Sequence, residues 1–211
     1  MERTTIGEAR QIFKDNFIGP DELYPLFKRI NPGYENILKP PVIPWSKSIL
    51  ESLSNRYILI LGLPSWGEID INIRNLRYTF GINPEISEPC FYNQDWYLNE
   101  KFIDNTLEFK WYLIRKNVLE DSRAIDPYLL VKHNIKFPSA ILCCYTFLAL
   151  WLAKGIKLWE YEFVWCSDKD HNEDRIYVGK YSDIDGVNKN GFSIHRHLAL
   201  RNCYTAIDFL S

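Results

Sequence analysis

With 211 residues, 46% hydrophobic and 25% charged, the chain can bury one sizeable core without a disulfide staple. Its net charge of −2 gives no overall pull toward nucleic acid or an anionic membrane, and no basic run stands out. The five cysteines, Cys90, Cys143, Cys144, Cys166 and Cys203, form no C-x-x-C and are odd in number, which predicts reduced thiols and a cytoplasmic location.

The charged opening MERTTIGEARQIF lacks the apolar core of a signal peptide, in keeping with that location. Thr5 and Glu8 have the spacing of a capping box, and Ile6, Ala9, Ile12 and Phe13 share a helical face behind them. Pro20, followed by Asp21 and Glu22, predicts a second helix over about 20–30, with Pro25 early in it. The prolines of NPGYENILKPPVIPW then predict a stiff, extended connector. Residues 1–44 therefore read as an N-terminal helical arm and residues 45–211 as a single domain. Phe13, Phe17, Leu23, Leu26 and Phe27 of the arm need cover, from the core or from a partner.

Farther along, SKSILESLSN predicts a short helix with Ser46 as its cap, and RYILILGL a buried strand. DINIRNLRYTFG fits a helix capped by Asp70 and closed by Gly81, although its start also alternates as a strand would. NQDWYLNEKFID is expected to be helical. LEFKWYLIRKN reads as a strand apolar on both faces, which places it inside a sheet. DPYLLVKH is expected to be a short helix. PSAILCCYTFLALWLAKG predicts a helix over about 138–154, opened by Pro138 and closed by Gly155. Its apolar run, Ala140 to Ala153, has 14 residues. A bilayer needs about 20, so a buried helix is expected rather than a membrane span. LWEYEFVWC and DRIYVGKYS predict a hairpin across the polar loop SDKDHNED, and the tail a strand to about residue 198 followed by a helix. Together these elements predict an α+β fold, a mostly antiparallel sheet packed around the buried central helix.

Four stretches carry possible chemistry. GLPSWGEI has two glycines at P-loop spacing, but Glu68 and Ile69 stand where Lys and Ser or Thr are required, and a carboxylate would repel phosphate. In LEFK, Glu108 and Lys110 would share one face of the predicted strand. Metal-dependent nucleases carry such an E-x-K with an upstream Asp completing a magnesium site. The tripeptide is the sole point at which this chain resembles them. CSDKDHNED and DIDGVNKNG alternate oxygen-bearing residues but fail the Gly and Glu positions of a calcium loop, so both read as turns. In GFSIHRHL, strand geometry would put Ser193, His195 and His197 on one face, the imidazoles about 7 Å apart, a spacing that can hold one zinc or iron. Helical geometry would splay them by about 200° and exclude a shared metal. A third ligand would have to come from Cys166, His171, Glu160, Glu162 or Cys203.

Three functions fit these residues: a non-enzymatic protein that meets a partner or itself through residues 1–44; a small-ligand binder with an aromatic pocket; and a metal-dependent hydrolase using Glu108 and Lys110 or His195 and His197. No motif assigns a cofactor. The 15% aromatic content suits a ring-rich core and equally a stacking surface.

Overall fold

The computed structural model describes residues 4–183, 189–196 and 200–211, and its architecture is α+β. Helix α1 (Ile6–Phe13) starts from the expected capping box, with the Thr5 hydroxyl accepting from the Glu8 N–H and the Glu8 carboxylate from the Thr5 N–H. Strand β1 (Phe17–Ile18) leads into α2 (Pro20–Ile30), which has Pro20 in its first turn and buries Leu23, Leu26, Phe27 and Ile30. The proline-rich connector has no regular structure before α3 (Lys47–Leu53).

Strand β2 (Tyr57–Leu61) is buried along its whole length. A tight hairpin of β3 (Ser65–Trp66) and β4 (Ile69–Asp70) follows, so GLPSWGEI turns strand to strand. Helix α4 (Ile73–Phe80) is capped by Asn72, whose side chain accepts from the Asn75 N–H. The expected cap, Asp70, lies in β4 instead; the alternation of EIDINI prevails locally because Ile69 pairs with Trp66. Residues 93–104, expected to form a helix, run through turns to a single 3-10 turn at Lys101–Asp104. Strand β5 (Trp111–Arg115) and the short helix α5 (Pro127–Lys132) come next.

Helix α6 (Ala140–Lys154) is capped by Ser139 and closed by the left-handed Gly155. Every residue from Ala140 to Leu150 is buried. It packs on α2 and reaches both larger sheets; Tyr145, for example, donates its hydroxyl to the Leu61 carbonyl of β2. Among the described residues no helix is long and apolar enough to cross a membrane.

The hairpin of β6 (Phe163–Lys169) and β7 (Arg175–Gly179) forms as expected, followed by β8 (Ser193–His195). The tail departs from expectation. Its described residues form β9 (Tyr204–Thr205) and β10 (Phe209–Leu210), not a helix, because Tyr204 and Thr205 pair with β6 and Phe209 and Leu210 with β5. One four-stranded sheet has the order β1-β2-β5-β10, and the other β8-β7-β6-β9. Pairing is mostly antiparallel, with β1–β2 and β6–β9 parallel. Strand β5 is internal, as its two apolar faces require.

In the second sheet, Val164, Cys166, Ile176, Val178 and Ile194 belong to the main core with α6. Phe163, Trp165 and Tyr177 form a separate cluster on the opposite face with Leu130 and Phe137. Ala9, Phe13, Phe17, Leu23, Leu26 and Phe27, from the segment read as an arm, join the same core as α6.

Candidate functional site

The site is built on β8. Residues alternate across a strand, so Phe192 and Ile194 go into the core, both fully buried, while Ser193 and His195 face outward. His195 lies directly opposite Tyr177 on β7, and the two rings stack with centroids 5.5 Å apart. The Phe163 ring of β6 stands edge-on to the imidazole at 5.3 Å. The segment 91–96 covers the outer edge of β8: the Tyr92 N–H donates to the Phe192 carbonyl and the Trp96 indole to that of Ile194. This brings the Gln94 amide nitrogen to 3.2 Å from both imidazole nitrogens, while the amide oxygen is buried without a hydrogen-bond partner.

Above this floor opens a cleft of about 230 Å³. Lys180, Lys189, Asp183, Ser182 and Ser193 supply its polar lining; Tyr92, Phe163 and Tyr181 add rings. Two backbone features hold Lys180 at the rim. Gly179 has a φ of 118°, and a Cβ there would come within 2.5 Å of the Glu162 carbonyl oxygen. Lys180 itself has a φ of 44°, in the region that disfavours side chains, and its N–H donates to the carbonyls of Trp159 and Glu162. Among the described residues no carboxylate lies within ion-pair distance of the Lys180 ammonium, which sits 5.9 Å from the centre of the Phe163 ring. Lys189 pairs with Glu85 at 3.0 Å.

The serine hydroxyls of the cleft are already engaged. Ser193 donates to the Gly191 carbonyl and Ser182 to Glu160, so neither forms the serine–imidazole pair of a nucleophilic hydrolase. Burial pushes the Tyr181 phenol far up, keeping it neutral. The arrangement offers ammonium donors, an imidazole and ring faces to a small ligand.

A second polar cluster lies just past the end of β8, at the turn between β6 and β7. Arg196 donates to Asp170 at 3.0 Å and stands 3.7 Å from Glu100, over the Trp96 ring. His171 approaches Glu100 at 2.6 Å. Ligand atoms of Glu100, Asp170 and His171 lie within 4.8 Å of one another, a span compatible with a metal ion. Yet the guanidinium already supplies the cation, and the Asp170 carboxylate also accepts from the N–H groups of Asn172 and Asp174. Burial pushes the Asp170 carboxyl up, and those bonds with Arg196 outweigh it, so the group is held below its ordinary value. This network locks the loop and is fully satisfied by the chain itself.

The two site readings from sequence fare differently. Glu108 and Lys110 precede β5, which begins at Trp111, so they are not on a strand. They pair with each other at 3.3 Å, and the Glu108 side chain is 77% exposed. Neither meets a further carboxylate ligand among the described residues. His195 is strand-borne and lines the cleft, while His197 lies outside the described residues, as do Asp185 and Gly186. His171, considered as a third ligand, joins Glu100 instead. Lys180, Gln94, Glu100 and Arg196 escaped the sequence reading. The Gly-Lys step closing the alternation of DRIYVGKYS was a usable signal, since glycine in a strand marks irregular backbone; Glu100 had none.

The chain matches no family model, and no curated protein and no solved structure matches it.

Proposed function

We propose that this chain is a non-enzymatic binding protein whose ligand is a small oxyanion, a carboxylate or a phosphate, held in the cleft beside His195. The observation that carries the reading is the Lys180 ammonium, fixed at the rim by a strained backbone and lacking an ion-pair partner among the described residues. Lys189 and the His195 imidazole line the same cleft as further donors, against one lining carboxylate, Asp183. The cleft of about 230 Å³ suits a ligand of few atoms. Free buried thiols at Cys90, Cys143, Cys144 and Cys166 support a reducing, cytoplasmic setting.

Calorimetric titration with inorganic phosphate and with citrate tests this reading. One of the two should bind, and Lys180→Ala should weaken it at least roughly tenfold, as expected for a charge-assisted hydrogen bond. Absence of binding at about 1 mM, the weak end of specific affinity, or equal binding by the variant, contradicts it.

Self-association through residues 1–44 is a second reading. It rests on Tyr24 and Ile37, which are exposed, Ile37 by 88%, and line a groove with Phe27 and Trp66. Sedimentation should then show a concentration-dependent dimer that Ile37→Asp abolishes; a monomer throughout removes the idea.

A further inference from the structure

A second polar recess is lined in part by Ile156, Lys157, Leu158 and Trp159, where the turn after α1 meets the main body. It measures about 570 Å³ and is lined by Lys14, Asn16, Lys116 and Asn117 among others. Lys14 has φ 52° and ψ −118°, a backbone conformation that strongly disfavours a side chain. No packing requirement explains a lysine there, because the side chain is exposed. Asn16 knits the wall together: its amide donates to the Ser54 carbonyl at 2.9 Å and its oxygen accepts from Lys116 at 3.5 Å. The Lys116 carbonyl in turn accepts from the Trp159 indole, which fixes that strand end.

The charges around the recess are uneven. Lys157 directs its ammonium to Glu160 and to the Trp151 and Tyr181 rings, and Asp15 faces Lys154 at 4.0 Å. Among the described residues neither Lys14 nor Lys116 has a carboxylate within ion-pair distance. Two ammonium groups without an ion-pair partner among the described residues therefore line a recess that also holds one carboxylate, Asp15, turned to Lys154, and the exposed amides of Asn55 and Asn117. Ammonium groups suit a phosphate, while primary amides, with both donor and acceptor, suit hydroxyl groups.

We propose that this recess is a second binding site, for a phosphorylated sugar, with the phosphate between Lys14 and Lys116 and the hydroxyls against Asn55 and Asn117. The volume matches a ligand of that size. Because the lining comes from residues 14–16 and from 54–55 and 116–117, already joined through Asn16, the ligand would touch both the N-terminal segment and the body. The site is independent of the cleft beside His195.

Residue-resolved NMR with glucose 6-phosphate as the probe tests it, with glucose and inorganic phosphate as comparisons. Glucose 6-phosphate should shift the side-chain amides of Asn16, Asn55 and Asn117 saturably and bind more tightly than either comparison. Lys116→Ala should weaken binding roughly tenfold. Lys14→Gly should do the same while raising the melting temperature, because glycine relieves the positive φ. That variant excludes misfolding as the cause of lost affinity. Absence of saturable shifts, or affinity unchanged in both variants, overturns the proposal. Shifts confined to His195 and its neighbours overturn it as well, while leaving the first site standing.

Discussion

Asp168 and Asp170 stand two residues apart and respond in opposite ways to their surroundings. Asp168 accepts from the Ala140 N–H at the start of α6 and from Asn105, but burial dominates and raises its pKa. Asp170 is held low by the Asp174 and Asn172 N–H groups and Arg196, which outweigh the opposing effect of burial. A carboxyl with a depressed folded pKa stabilises the fold above its unfolded value of about 4, and that contribution is lost as pH falls through the folded value. A raised carboxyl does the reverse: its cost grows as pH rises from the unfolded value through the folded one. Asp170→Asn should therefore cost about 1–3 kcal/mol at pH 7, and the gap from wild type should shrink in acid. Asp168→Asn should cost less at pH 7, because it removes a charge that burial disfavours. Urea unfolding at pH 7 and at acidic pH checks both. The importance of Asp170 was hidden in the sequence. The hairpin turn was legible in SDKDHNED, although its first three residues extend β6, but the partner of the buried Asp170, Arg196, lies 26 residues away and Glu100 approaches from an irregular segment.

At the scale of elements, those fixed by local pattern were legible and those fixed by distant pairing were not. The capping box of α1, Pro20 of α2, and the apolar run and Gly155 of α6 each specify an element by near neighbours. The tail was misread because β9 and β10 are two residues long and exist through β6 and β5, which no local periodicity reveals. The same holds for β8. Its alternation was readable and put His195 on the outward face, but the covering segment 91–96 and the Lys180 rim come from elsewhere. The β7 end carries the binding reading, so its geometry should be exacting. Gly179→Ala should destabilise by about 1–3 kcal/mol, through both its φ of 118° and the approach to Glu162. It should also weaken anion binding by displacing Lys180, which thermal unfolding and calorimetry on one sample would report.

Across the whole molecule, the boundary near residue 45 separates the chain in sequence more sharply than in space. Phe13, Phe17, Leu23 and Leu26 are at most 2% exposed, and β1 completes the first sheet beside β2. Removing residues 1–44 would strip α2 from α6 and open the main core. The shortened chain should lose near-ultraviolet dichroism and cooperative unfolding; a cooperative, native-like product would mean that the arm is dispensable. The intact molecule would then present two anion sites that share no lining residue and rest on different lysines.

If the cleft beside His195 binds a small oxyanion through Lys180, the NMR response of His195 to citrate or phosphate reports it at the site itself. The His195 imidazole and the Gln94 side-chain amide should shift saturably, and the shifts should be lost in Lys180→Ala. Shifts that never saturate, that spread evenly over surface lysines, or that persist in the variant would contradict it.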